Sequence, residues 1–120
     1  MDIHQHFNDG QRVASASART GDVYNPASGQ VARQVPMGTA AELGAAVEAA
    51  HKAFPDWSAQ PPLRRARCMF RLKQLLEDRA DELAALLSSE HGKVLEDARG
   101  EVTRGIEVVE FACGAPQLLK

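Results

Sequence analysis

The chain has 120 residues, 44% of them apolar and 25% charged, which is typical of one soluble globular domain with a modest core. Its formal net charge of −2 argues against general nucleic-acid binding, which requires a basic excess. The sequence has no apolar run of about 18 residues to span a membrane, and no basic start followed by an apolar core of the secretory type.

Short strands joined by turns are predicted over about residues 3–37. In a first hairpin, "IHQHF" and "QRV" flank "NDG", which can supply the positive φ angles of a tight turn. In a second, "DVY" and "QVARQV" flank "NPASG", where Pro26 and Gly29 mark the reversal.

The pattern becomes helical from Thr39. "TAAE" at 39–42 is a capping box, in which Thr39 and Glu42 bind each other's backbone N–H. It predicts a first helix over about 39–54 that ends before Pro55. A second helix is predicted over about 62–90, with leucines along one arc and charged residues opposite, and with Gly92 as its stop.

The third predicted helix, over about 94–113, is apolar on two sides. One side carries a stripe of five residues: Ala98, Val102, Ile106, Val109 and Cys113. Val108, Phe111 and Arg104 project to the other side, for which 120 residues supply no evident partner. We therefore expect a mainly α chain of three helices with short N-terminal β-hairpins, forming an incomplete domain over 1–120.

Arg104 in "GEVTRG" has two interpretations. It can pair within the helix, with Glu101 or Glu107. Such a pair contributes a few tenths of a kcal/mol, roughly, whereas the following Gly105 costs about 1 kcal/mol relative to alanine. The second interpretation is that the guanidinium binds an anion and that Gly105 allows a ligand or another backbone to come close.

Other candidate chemistry is weak. Cys68 and Cys113 lie within helical patterns and are expected to be packed thiols in a reducing compartment, neither of them a catalytic nucleophile. His4 and His6 would share a strand face, but two ligands do not make a metal site. No glycine-rich phosphate loop is present. We therefore assign no catalytic, cofactor-binding or metal-binding residue.

Several stretches together resemble the N-terminal part of the aldehyde dehydrogenase superfamily. They are "NPASG", a helix ending "AFPDWS", and a long helix closing in "EHGK". "PPLRRARCMFRLKQLL" and "GEVTRGIEVVEFACGAPQLLK" look most like the coenzyme A-acylating methylmalonate-semialdehyde dehydrogenase branch. The resemblance runs from about His6 to Lys120 and implies an N-terminal piece of a larger α/β fold.

The resemblance also implies a function for a longer protein. Such enzymes oxidise malonate or methylmalonate semialdehyde with NAD and transfer the acyl group to coenzyme A with loss of CO₂, in valine degradation among other routes. An arginine matching Arg104 would bind the carboxylate of the substrate. The catalytic cysteine, the general-base glutamate and the dinucleotide-binding segment would follow Lys120, so this chain alone is expected to bind no cofactor and to lack dehydrogenase activity.

Two alternatives stay open: a non-acylating aldehyde dehydrogenase with a substrate that lacks a carboxylate, and a free-standing helical interaction module. Arg104 distinguishes the first alternative from the acylating branch, because a substrate without a carboxylate has no use for it. The length of the reading frame beyond Lys120 distinguishes the interaction module from an enzyme. We expect a cytoplasmic protein that forms homo-oligomers through its exposed apolar surface and has no nucleic-acid or membrane partner.

Overall fold

The computed structural model describes residues 3–119, which fall into two compact units divided between Ala59 and Gln60. The first unit contains two antiparallel hairpins and one helix: β1 (His6–Asn8), β2 (Gln11–Val13), β3 (Thr20–Tyr24), β4 (Val31–Pro36) and α1 (Ala40–Ser58). The second is helical: α2 (Pro62–Asp78), α3 (Ala80–His91), α4 (Leu95–Cys113) and a 3-10 helix (Ala115–Leu119). The predicted mainly α chain with short N-terminal hairpins is confirmed.

The first hairpin forms as its turn residues predict. Asp9 and Gly10 both have positive φ, 50° and 74°, so the chain reverses in two residues and pairs Asn8 with Gln11. The strand before the turn is shorter than the alternation of "IHQHF" suggests. Ile3 instead bridges to Gln34 of β4, so His4 lies outside the strand that holds His6 and the two do not share a strand face.

The second hairpin turns at "NPASG". The Asn25 side chain accepts hydrogen bonds from the backbone N–H groups of Ala27 at 2.8 Å and Ser28 at 3.2 Å. Gly29, at φ 68°, completes the reversal, and a register shift at Val23 and Tyr24 absorbs the extra length. Sequence-local turn chemistry therefore fixes both hairpins.

The predicted capping box at the start of α1 is confirmed. The Glu42 carboxylate accepts from the Thr39 N–H at 2.7 Å, and the Thr39 hydroxyl accepts from the Glu42 N–H at 3.2 Å. Glu42 also accepts from the N–H of Ala16 at 2.8 Å, a contact between residues 26 apart in sequence. One carboxylate thus caps the helix and anchors the segment between the hairpins.

These bonds make the first unit sensitive to acid. The backbone N–H of Thr39, then Ser15 and Ala16, lower the pKa of Glu42 from 4.5 to about 2. Because the pKa in the folded chain is below that in the unfolded chain, the stabilisation is complete above about pH 4.5 and is lost as the pH falls towards 2. Glu42→Gln should therefore lower the urea midpoint of the first unit at pH 7, and its difference from wild type should shrink between pH 4.5 and 2.

The matched control is Glu48→Gln, at an exposed position further along the same helix. Circular dichroism and assigned amide signals from α1 would follow the unfolding. A Glu42→Gln difference that is the same at pH 7 and pH 2.5 would show that the carboxylate is not the stabilising group.

Two helix boundaries differ from prediction. α1 continues past Pro55 to Ser58, because a proline removes only one N–H donor from the helix. The carbonyl of Pro55 still accepts a hydrogen bond from the Ala59 N–H at 3.1 Å. The helix predicted over 62–90 is two helices, α2 and α3, which meet at Arg79, where φ is −119° and ψ is 20°.

Packing on α4 explains the break at Arg79. A continuous helix over 62–90 would be about 44 Å long, whereas α4, with 19 residues, is about 28 Å long. Both α2 and α3 pack against α4, which a single straight helix of that length could not do along its whole extent. The predicted stop is confirmed, since Gly92 ends α3 in the left-handed conformation at φ 84°.

The core of the second unit is built from small residues. Among residues 60–119, four side chains are buried: Ala66, Ala84, Ala98 and Cys113. Ala98 and Cys113 belong to the predicted apolar stripe of α4, and the other three stripe residues are half-buried. Val108 and Phe111, on the second side, are exposed, as are Leu43 and Phe54 of α1. Self-association through such surfaces stays a prediction.

Among residues 3–119, no helix is both long enough and apolar enough to cross a membrane.

Candidate functional site

Arg104 lies in the middle of α4, on the side away from the buried stripe. Its side chain is 69% exposed, and Val108 and Phe111, one and two turns further along, are exposed with it. On the packed side, Ala98 and Cys113 fix the rotation of the helix. The tertiary packing of α4 thus presents a guanidinium beside two large apolar side chains.

The ion pair of Arg104 is loose. Its Nη2 lies 3.9 Å from Oε1 of Glu101, three residues earlier, which is one of the two intrahelical partners that the sequence predicts. At this distance between exposed groups the pair contributes little to stability. The predicted intrahelical pairing is therefore present, but it does not occupy the guanidinium.

Arg99 on the same helix provides a comparison, because its guanidinium is hydrogen-bonded to two carboxylates. Its Nε donates to Asp81 at 3.0 Å, and its Nη1 donates to Glu96 at 3.3 Å. Both bonds raise the pKa of Arg99, that to Asp81 more strongly. Arg99 joins α4 to α3. Within residues 3–119 the nearest carboxylate oxygen to the Arg104 guanidinium is 3.9 Å away, which leaves its N–H groups for another acceptor.

Glu101 is engaged mainly by a different cation. The ammonium group of Lys93 donates a hydrogen bond to Oε1 of Glu101. This bond is the largest cause that lowers the pKa of Glu101, and the positive charges of Lys93 and Arg104 lower it further. Lys93 directly follows Gly92, the residue that ends α3. The eight-residue separation from Glu101 crosses a helix break, so no helical spacing signals the contact.

Two glycines lie near Arg104. A Cβ built on Gly100 would lie 3.9 Å from Nη1 of Arg104, so the guanidinium folds back over the preceding turn of the helix. A Cβ built on Gly105 would have nothing within 4 Å among the described residues. The close approach that would explain Gly105 is therefore not made by residues 3–119.

The cysteines differ in environment. Cys113 is buried on the packed side of α4, as predicted. Cys68 is exposed, so the prediction of a packed thiol is wrong there. It follows the buried Ala66 by two residues, which places it nearly opposite on α2.

Metal ligands do not assemble in the described part of the chain. Residues 3–119 contain no group of three or more His, Cys, Asp or Glu side chains placed to hold a metal ion. His4 is exposed, and His6 is half-buried with no hydrogen-bond partner for its Nε2 among these residues.

The family comparison decides where the chain belongs. The model of the aldehyde dehydrogenase family matches residues 13–120. The chain belongs to the aldehyde dehydrogenase family. The resemblance based on "NPASG", "AFPDWS" and "EHGK" is thereby confirmed, together with the fold that it implies.

Three relatives with about half of their aligned residues identical to this aldehyde dehydrogenase segment carry semialdehyde dehydrogenase names. Malonate-semialdehyde dehydrogenase of Pseudomonas aeruginosa is 47% identical over 120 residues, which are 100% of this chain and 24% of that protein. Malonate-semialdehyde dehydrogenase 3 of Geobacillus kaustophilus is 53% identical over 115 residues, 96% of this chain and 24% of that protein. A Sinorhizobium meliloti structure in complex with NAD, which carries the name methylmalonate-semialdehyde dehydrogenase, is 48% identical.

The Sinorhizobium structure superposes on this chain with a TM-score of 0.94. The match covers 100% of this chain and 24% of that structure's chain. The chain thus spans about a quarter of the length of the relatives that it matches. The resemblance to the semialdehyde dehydrogenase branch agrees with the names of all three relatives.

The helix N-termini of this aldehyde dehydrogenase segment do not fit a dinucleotide. A pyrophosphate binds where a helix start offers free N–H groups. At α1 the Glu42 carboxylate already takes that place, and α2 starts at Pro61 and Pro62, which have no N–H. The first turns of the other two helices are acidic: Asp81 and Glu82 in α3, Glu96 and Asp97 in α4. No described residue is assigned to NAD or to coenzyme A.

Proposed function

We propose that this chain is the N-terminal part of an NAD-dependent, coenzyme A-acylating dehydrogenase of malonate or methylmalonate semialdehyde, in which Arg104 binds the free carboxylate of the substrate. The observation that carries the proposal is the exposed guanidinium of Arg104, whose pair with Glu101 spans 3.9 Å. The names of relatives 47% and 53% identical to the chain point to the same substrate class.

The chemistry of the substrate explains the need for a cation. Malonate semialdehyde carries an aldehyde at one end and a carboxylate at the other, so only the charged end offers a strong contact. A guanidinium can make two parallel N–H bonds to the two carboxylate oxygens, which fixes both the position and the direction of a short molecule. The exposed Val108 and Phe111 beside Arg104 could exclude water from such a contact and strengthen it.

In the longer protein, NAD would accept a hydride from the aldehyde carbon, and the acyl group would pass to coenzyme A with release of CO₂. The role of this segment is narrower: it binds and orients the carboxylate. A non-acylating enzyme for neutral aldehydes would leave Arg104 without that role. A cytoplasmic location of the protein also stays a prediction.

The direct test is an assay of the product of the complete reading frame. The full-length protein should reduce NAD with malonate semialdehyde only when coenzyme A is supplied, and should form acetyl-coenzyme A and CO₂ in equal amounts. The purified 120-residue chain should reduce no NAD. NADH formation with release of the free acid and no acyl-coenzyme A would favour the non-acylating alternative, and a frame that ends at Lys120 would favour the interaction module.

A further inference from the structure

The carboxylate of Glu101 lies between two cations that contact it very unequally. The Lys93 ammonium donates a hydrogen bond to Oε1, while Nη2 of Arg104 is 3.9 Å from the same oxygen. The Lys93 side chain is only 16% exposed, against 69% for Arg104. The better-buried lysine therefore makes the close contact, and the exposed arginine makes the distant one.

Lys93 starts from a fixed backbone. Gly92 ends α3 in the left-handed conformation, and the Ser88 hydroxyl donates to the carbonyl oxygen of Lys93. The lysine therefore leaves the helix end at a defined position and reaches α4 at Glu101. A contact anchored at both ends loses less side-chain entropy than one between two free surface chains.

Without Lys93, the natural partner of Glu101 would be Arg104, three residues further along the same helix. A direct pair would occupy guanidinium N–H groups that a ligand carboxylate needs, and the ligand would have to displace it. The lysine removes this competition. The Arg104 guanidinium then lies over Gly100 and keeps only a distant attraction to Glu101.

We propose that Lys93 is a positioning residue for Arg104: it holds the Glu101 carboxylate and so leaves the guanidinium available to the carboxylate of the substrate. This inference rests on the proposed function of Arg104. Lys93 itself touches no substrate and acts through Glu101.

The test uses the full-length protein and compares malonate semialdehyde with propanal, a three-carbon aldehyde without a carboxylate. Lys93→Met should raise KM for malonate semialdehyde about five-fold, the upper end for an exposed ion pair, and should leave KM for propanal and kcat for both unchanged. Lys93→Arg should keep the wild-type values, because arginine can also hold Glu101.

The deciding variant is the double substitution Lys93→Met with Glu101→Gln. It removes the competing carboxylate and should restore KM for malonate semialdehyde, which a variant that merely damages the fold would not do. Lys73→Met is the matched control, since Lys73 is a half-buried lysine on α2 paired with Glu77 at 2.6 Å. It removes the same charge and should change neither KM.

Arg104→Met, assayed in parallel, separates the two proposals. If it loses activity selectively with malonate semialdehyde but Lys93→Met does not, or if the double variant is no better than Lys93→Met, the role of Lys93 is overturned and that of Arg104 stands. If Arg104→Met is unselective, both are overturned. Should Lys93→Met fail to fold, Glu101→Gln alone decides: an unchanged or lower KM supports the inference, and a raised KM overturns it.

Discussion

Arg104→Met in the full-length protein is expected to lower kcat/KM for malonate semialdehyde by roughly 100-fold or more and to change kcat/KM for propanal by less than about three-fold. Two charge-assisted hydrogen bonds are each worth about 1.5–3 kcal/mol, and about 2.7 kcal/mol already corresponds to 100-fold. Methionine keeps the length and apolar volume of the stem, so the change isolates the guanidinium. Steady-state NADH formation with both aldehydes measures it.

Arg99→Met is the matched control, because Arg99 lies on the same helix and its guanidinium is already bound to Asp81 and Glu96. It should leave the ratio between the two aldehydes unchanged. Arg104→Lys should fall between wild type and Arg104→Met, since an ammonium keeps the charge but not the two-pronged geometry. Equal losses with both aldehydes would falsify carboxylate binding and assign Arg104 a structural role.

Ala98→Leu is expected to cause the largest loss of stability in the second unit. Ala98 is 0% exposed, on the side of α4 that faces its neighbouring helices, and a leucine there adds three carbons to a closely packed contact. Overpacking of this kind typically costs about 1–3 kcal/mol of the free energy of unfolding, which lowers the Tm of a unit of this size by roughly 5–20 °C. Thermal and urea unfolding followed by circular dichroism would measure the loss.

Ala85→Leu on α3 supplies the comparison. Ala85 follows the fully buried Ala84 in sequence but is exposed, so the same added carbons meet solvent. Ala85→Leu should change the free energy of unfolding by less than about 0.5 kcal/mol. Similar losses at Ala98 and Ala85 would mean that α4 does not pack as described.

The local features of this chain followed from its sequence because each depends on residues close together. The capping box needs only Thr39 and Glu42, and the first turn needs only residues able to adopt positive φ at Asp9 and Gly10. The two-sided pattern of α4 was also readable, since the spacing of Ala98 and Cys113 sets the buried side and leaves Arg104 on the other.

The break at Arg79 was not readable, because "EDRADE" contains neither glycine nor proline and its helical pattern continues through it. Exposure of Cys68 was missed for a related reason. Its neighbours in sequence fit a packed helix, but which arc of α2 is covered depends on where α4 lies against it.

The sequence by itself determined the family, the two hairpins, the capping box of α1, the glycine that ends α3 and the candidate role of Arg104, because short-range patterns and motif residues carry that information. Only the tertiary structure decided how free Arg104 is. The contact between Lys93 and Glu101 crosses the end of α3 and the start of α4, and its formation depends on how the two helices pack. Sequence spacing does not encode that packing, because the packing arises from contacts between residues on two different helices.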